Sequence, residues 1–390
     1  MNKNLFSKVL YWFKYPFKLW AYELMDQWLM ATMKHSPKGK VLVFRLDLIG
    51  DYLMCRPFFD SLKRGSSWQN MDWVFAGNSI YKDLSERLDS DVFQAFIWID
   101  RAQFINSIGY RFSVLKRIRQ AGFEVVIYPS HTRQYWLESV VRVSGAVAVS
   151  PTSVGKYMNA WESELTRRRY AQVIDTGSIG QFEFYRNQRF FSVLSPMALQ
   201  VENLLIPALN EANVEDFPKG NFMIVAPGAS TRNREWPLEN FARVAGNLAL
   251  RFNLEVVVIG GKREEVLGQR LRELLPKIRI QNQAGKLDLY QSLLWLRAAT
   301  LLISNESAPI HMAASTGTPA ICISQGNHFS RWNPYPKSVA SWVKTIYPPA
   351  FGDVQTQFEF LTSRFHDYSD WSIEEILPDQ VINQAEKLLP

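Results

Sequence analysis

Four short segments hold the residue types from which a reactive site could be built. The first is Arg45-Leu-Asp-Leu-Ile-Gly-Asp51, at the end of the apolar run Val41–Phe44. Gly50 lets the backbone turn sharply. Asp51 then has two readings: a cap on the helix that follows, or a loop carboxylate acting as general base. The second is Ala226-Pro-Gly-Ala-Ser-Thr-Arg-Asn-Arg-Glu-Trp-Pro237, where Gly228, Ser230 and Thr231 precede two arginines. Backbone amides, hydroxyls and a guanidinium can hold a diphosphate; the same residues also suit an ordinary loop with solvated arginines. The third, Val258-Ile-Gly-Gly-Lys-Arg-Glu264, pairs Gly261 with a carboxylate able to accept from ribose hydroxyls. The fourth is Ile303-Ser-Asn-Glu-Ser-Ala-Pro-Ile-His-Met-Ala-Ala314. There a helix N-terminus offers amides to an anion, with His311 one turn in. His311 is either a ligand contact or a structural histidine.

Other chemistries lack their residues. Two cysteines, Cys55 and Cys322, support neither a disulfide framework nor a zinc or iron–sulfur site, and they fit a reducing compartment. The five histidines show no ligand spacing, so no metal is expected. G-x-S-x-G and G-x-G-x-x-G are both absent.

These segments must be positioned by regular elements, and the hydrophobic pattern supplies them. Apolar runs at 41–44, 73–76, 96–99, 125–128 and 146–149 read as strands. A second series reads the same way at 222–226, 255–259, 278–281, 301–304 and 320–324. Helical stretches separate them, including 52–64, 112–120, 238–251, 264–275, 287–299 and 309–316, with a last helix at 378–389. Alternating β and α with continuous apolar strands implies parallel sheets covered on both faces. The expected fold is α/β, two tandem Rossmann-like doubly wound domains facing a cleft, with ligands at the carboxyl ends of the strands. The expected organisation is an amphipathic extension (1–36), a first domain (37–205), a linker (206–220), a second domain (221–345) and a C-terminal segment with its helix (346–390).

Taken in this order, the four motifs resemble the heptosyltransferase family of lipopolysaccharide biosynthesis, glycosyltransferase family 9. The likeness spans about residues 40–335. It implies a GT-B fold and an inverting, metal-independent transfer of a heptose from ADP-heptose, with no cofactor beyond that nucleotide-sugar donor. The family's base falls on Asp51, and its phosphate-binding basic residue on Arg234, where lysine is usual. Its donor contacts fall on Ser230, Glu264, Glu306, Ser307 and His311, so the donor site is expected to comprise these with Gly228, Thr231, Gly261 and Ala308. Glu306 stands where the family usually has Asp, and Ala308 where it usually has Gly. Two other classes stay open: a nucleotide-sugar 2-epimerase, which shares the two-domain architecture, and a non-catalytic membrane-associated nucleotide-sugar-binding protein, which the changes at Glu306 and Ala308 allow.

Charge points to the acceptor. Residues 1–205 carry 26 Lys+Arg against 18 Asp+Glu, whereas 206–390 carry 18 against 19. The excess positive charge of the first half suits an anionic partner, here an anionic glycolipid such as a lipopolysaccharide core, with Arg45, Arg167, Arg168 and Arg169 as candidate contacts. Residues 4–33 interleave aromatics with lysines around Pro16, which is expected to break or kink any helix there. Lys3, Lys8, Lys14 and Lys18 would face anionic lipid, giving peripheral membrane contact through residues 1–34. No run is long enough for a membrane span. The family resemblance implies a cytoplasmic location, peripheral on the inner face of the inner membrane. The basic residues are not interleaved as a base-stacking platform, so no nucleic-acid partner is expected.

Overall fold

The computed structural model describes residues 3–153, 158–178, 180–207, 209 and 217–389, with side chains from Phe17 onward. Of the expected linker, residues 208 and 210–216 lie outside the described residues, as do the side chains of Lys3, Lys8 and Lys14.

The first sheet contains β1 (Lys40–Arg45), β2 (Asp72–Asn78), β3 (Ala95–Ile99), β4 (Phe123–Ile127), β5 (Val147–Pro151) and β6 (Gln172–Ile174). The second contains β7 (Phe222–Ala226), β8 (Glu255–Val258), β9 (Ile280–Asn282), β10 (Leu301–Asn305), β11 (Ala320–Ile323) and β12 (Val343–Ile346). Every pairing is parallel. The orders are β3-β2-β1-β4-β5-β6 and β12-β11-β10-β7-β8-β9. Read from the opposite edge, the second repeats the first. Each sheet is a doubly wound Rossmann-like sheet whose order reverses at one place, between β1 and β4 and between β7 and β10.

The central strands β7 and β10 are buried along their whole length, and β1 and β4 at all but one residue each, because helices cover them. Leu42 and Phe44 pack with Leu29, Phe104, Leu115, Ile118 and Val140. In the second sheet Met223, Val225, Val256 and Ile303 pack with Phe241, Val244, Ala245 and Leu248. The latter four lie on one stripe of the helix Leu238–Phe252. The helix Pro378–Glu386 closes the same core with Val381, Ile382 and Ala385.

The chain separates into two compact units. One is made of the described residues of Met1–Asp47, Ser67–Lys82 and Asp89–Asp175; the other of Leu48–Ser66, Asp83–Leu88 and the described residues of Thr176–Pro390. The segment directly after Asp47, with Gly50 and Asp51, therefore belongs to the second unit.

Three local expectations change. The helix expected at 52–64 is two helices, Ile49–Cys55 and Phe58–Gly65, divided at Pro57, which lacks an N–H to continue the first. The edge strands β6 and β12 escape the apolar pattern, since their residues are partly exposed. The break expected at Pro16 is absent, and one helix spans Lys3–Thr32. A proline removes a single backbone bond, and tertiary contacts hold the second half of this helix. Tyr22, Asp26 and Leu29 are buried. Arg142 pairs with both Glu23 and Asp26, and Tyr135 Oη donates to Glu23 at 2.6 Å. Arg111 is held at a pKa of about 10, first by burial, with Asp26 opposing the shift. Lys18 donates to Asn106 at 3.1 Å and lies 5.0 Å from the Trp136 ring centre, so its ammonium is engaged with protein rather than directed to lipid. No helix among the described residues is long and apolar enough to cross a membrane.

Candidate active site

The second, third and fourth motifs occupy the loops after β7, β8 and β10, around the strand-order reversal of the second sheet. Asn305, the last residue of β10, ties two of these loops together. Its Nδ2 donates to Pro227 O at 2.6 Å, and its Oδ1 accepts from the Trp236 amide at 3.1 Å. Trp236 is buried, its indole N–H bonded to Ile376 O at 2.9 Å, so the Trp-Pro pair anchors the loop to the core.

Glu264 connects the second and third motifs. A Cβ on Gly228 would lie 2.5 Å from Glu264 Cγ and 2.9 Å from Oε1; one on Gly261 would lie 3.2 Å from Oε2. The Glu264 side chain therefore lies close to the backbone of both loops, and a side chain at position 228 would have to displace it. Arg234 connects the second motif to the fourth. Its Nη2 lies 3.3 Å from Glu306 Oε1 and donates to Glu306 O at 3.0 Å. Ser307 stands at the N-cap position of the helix Ala308–Thr316, with its Oγ turned to Asn305 O at 3.2 Å rather than to a helix amide. In the first turn of that helix Pro309 contributes no N–H and the Ile310 amide donates to Ser307 O at 3.1 Å, which leaves the Ala308 amide without an intrahelical acceptor. A guanidinium beside a helix N-terminus at one sheet edge forms a place for an anion.

His311 is buried in this helix, 2.6 Å through Nδ1 from Tyr335 Oη. Burial, and then the charge of Arg234, lower its pKa to about 4, so the ring is neutral at neutral pH. On its other side stands the helix Ile49–Cys55: a Cβ on Gly50 would lie 2.4 Å from His311 Cδ2 and 2.9 Å from Nε2. The first motif is thus carried against the fourth. Asp51 is half-buried at the third position of its helix rather than at the cap, and its Oδ2 accepts from the Leu48 amide at 3.2 Å; this is one half of a capping box, since Leu48 has no side-chain acceptor to supply the other.

Ser230 and Thr231 are exposed on the β7 loop, where Thr231 O accepts from the Arg234 amide at 3.0 Å. The expected arginines of the first unit lie elsewhere. Arg45 is fully buried, donating to Pro129 O at 2.6 Å and pairing with Asp47 at 3.2 Å, so its guanidinium braces the loop after β1 and offers nothing to an acceptor. Arg167 and Arg168 are exposed and share Glu164. Arg169 turns inward, with its guanidinium 5.5 Å from the Tyr135 ring centre and 3.9 Å from Glu23. Among the described residues no group of three or more His, Cys, Asp or Glu side chains could hold a metal ion. Three contributors escaped the sequence reading. Asn305 was visible inside its motif as a polar end to an apolar strand. Tyr335 follows the Trp332-Asn-Pro334 loop, and Ser324, which donates to Glu306, carried no signal.

The motif residues now have neighbours, and comparison with known proteins relates them to a family. Residues 196–356 match the family model "Glycosyltransferase family 9 (heptosyltransferase)". Over that segment, which is less than half of the chain, this protein is similar to glycosyltransferase family 9. The family segment runs from before β7 to just past β12, and so contains the second sheet and three of the four motifs. A lipopolysaccharide core heptosyltransferase, OpsX of Haemophilus influenzae, is 30% identical over 122 residues, 31% of this chain and 34% of that protein. The match thus spans about a third of the curated relative's length. A family 9 glycosyl transferase of Veillonella parvula has a TM-score of 0.67 at 18% identity, over 92% of this chain and 99% of that one. The E. coli heptosyltransferase WaaC, solved with ADP, has a TM-score of 0.63 at 13% identity, over 90% and 99%. These structures share the fold, which is GT-B.

Proposed function

We propose that this chain is a family 9 member, an inverting glycosyltransferase that moves a heptose from ADP-heptose to an anionic glycolipid of the lipopolysaccharide-core type. One observation carries the reading: the loops after β7, β8 and β10 meet around Arg234, Glu264 and the start of the helix Ala308–Thr316. WaaC, of the same fold, is described with ADP, and we read ADP as the leaving group here. Arg234 and the N-terminus of the helix Ala308–Thr316 stabilise the charge that develops on the diphosphate as its bond to the anomeric carbon breaks. Glu264 accepts from the ribose. Asp51 takes the proton of the acceptor hydroxyl as its oxygen attacks that carbon from the opposite face. The support for Asp51 is its place beside Gly50, whose helix rests on His311.

The helix Lys3–Thr32 carries the membrane part of the proposal. Phe17, Trp20, Leu24 and Trp28 recur at helical spacing and are 70%, 59%, 47% and 55% exposed. Such a stripe suits shallow burial in the headgroup boundary, on the cytoplasmic face where the nucleotide sugar is available.

The test is incubation with ADP-heptose and a heptose-deficient lipopolysaccharide. Acceptor-dependent ADP release with a mass gain of one heptose on the glycolipid is expected. A change of configuration at the sugar's second carbon without ADP release would point to the epimerase class. Donor binding with neither product would leave a binding protein.

A further inference from the structure

Glu306 has its carboxylate committed within the protein. Only 5% of the residue is exposed. Oε1 faces Arg234 Nη2 at 3.3 Å, and Oε2 accepts from Ser324 Oγ at 2.5 Å. Ser324 is itself buried, and its Oγ also accepts from the Gly326 amide at 2.9 Å. The backbone of Glu306 is fixed on both sides: its amide donates to Ile323 O at 2.9 Å, and its carbonyl accepts from Arg234 Nη2 at 3.0 Å. One nitrogen of Arg234 is therefore gripped by both the carboxylate and the carbonyl of one residue. Among the described residues the guanidinium makes no other hydrogen bond or ion pair, so Nε and Nη1 remain for a ligand. A planar fork held at one corner presents its other donors in a fixed direction, which is what bidentate recognition of phosphate requires.

We infer that Glu306 is a positioning residue for Arg234, with Ser324 as its support, and that it does not bind the sugar. The carboxylate keeps the guanidinium extended toward the anion. It also compensates one positive charge beside the neutral, buried His311. A sugar hydroxyl would need a carboxylate oxygen with open lone pairs and surface, and Glu306 offers little of either. The inference rests on reading this sheet edge as the donor-diphosphate site.

Titration calorimetry with ADP, adenosine and inorganic pyrophosphate tests it, on the full chain and on Glu306→Gln, Arg234→Ala and their combination. Glu306→Gln is expected to weaken ADP and pyrophosphate binding about five- to ten-fold and leave adenosine unchanged. In the Arg234→Ala background the same substitution should cost no further affinity, because coupled residues are non-additive. Ser324→Ala should shift ADP binding in the same direction by less, which guards against a Glu306 variant that fails to fold. Wild-type ADP affinity in Glu306→Gln, or an equal loss in both backgrounds, would overturn the positioning role. A wild-type protein that binds pyrophosphate but not ADP would sink the nucleotide reading while leaving the Arg234 fork testable with pyrophosphate. Binding of neither would sink both.

Discussion

The backbone of Gly50 lies against the ring of His311, so close that a single added carbon would fall 2.4 Å from Cδ2. This contact joins the helix that carries Asp51 to the helix that begins at the candidate phosphate site. It explains why glycine precedes the carboxylate more specifically than a turn requirement does. Gly50 is inside the helix Ile49–Cys55, where glycine is otherwise unfavourable.

Gly50→Ala therefore sets a better helix former against a steric overlap. We expect the overlap to win, with a loss of about 1–3 kcal/mol in unfolding free energy and reduced turnover as the helix shifts. Adding His311→Ala should recover part of the lost stability. An alanine variant as stable and active as wild type in urea melts and turnover assays would show that the ring yields freely.

Asp51→Asn separates two roles. Asn retains an oxygen for the Leu48 amide, so melting temperature and ADP affinity should stay near wild type. Turnover should fall roughly 10²–10⁴-fold if the carboxylate is the base. Near-normal turnover at saturating substrates would leave Asp51 as a capping residue alone, in which case Asp51→Ala should still cost about 1 kcal/mol.

His311 makes stability depend on acid. Its folded pKa of about 4 lies below the ordinary value of 6.5. Above pH 6.5 the ring is neutral in both states and exerts no penalty. As pH falls from 6.5 toward 4 the unfolded chain takes up a proton that the folded one refuses, so stability declines across that window. A shift of this size corresponds to an upper bound on the order of 3 kcal/mol. Urea midpoints at pH 7.5 and 4.5 should differ less in His311→Gln than in wild type. His328, also lowered by burial, will add to the slope in both.

The helix Lys3–Thr32 should respond differently on its two faces. Arg142→Ala removes the ion-pair partner of the buried Asp26 carboxylate, which keeps Ser139 Oγ and the nearby Arg111 charge, and should cost about 3 kcal/mol or somewhat less. Removing residues 1–34 altogether should unfold the first unit, since it takes away Leu29 along with both acids. Changing Phe17, Trp20 and Leu24 to Ser should leave the melting temperature within a few degrees and reduce co-sedimentation with anionic liposomes. Unchanged co-sedimentation would dismiss the membrane role of the stripe.

Most of the secondary structure was legible because helix-covered parallel strands appear as uninterrupted apolar runs, such as Val41–Phe44 and Leu301–Ser304. The strands β6 (Gln-Val-Ile) and β12 (Val-Lys-Thr-Ile) were not legible, since polar residues leave neither with an apolar run long enough to read. The second-sheet loops were also legible, because glycines, hydroxyls and arginines after an apolar run have few structural uses in that order. What the side chains do there was decided by residues distant in the chain. Nothing local distinguishes Arg45, sealed against Pro129, from Arg234, with open donors, or Arg169, turned onto Tyr135, from Arg168 in solvent. Nor does anything local show that Glu306 spends its carboxylate on Arg234 and Ser324, or that Gly50 makes room for an imidazole 261 positions later. Sequence pattern determines which backbone segments are buried, because burial of a strand or helix depends on its own periodicity. The partner of a polar side chain depends on which loops the sheet order brings to one edge, and that is settled only when the strands have taken their places.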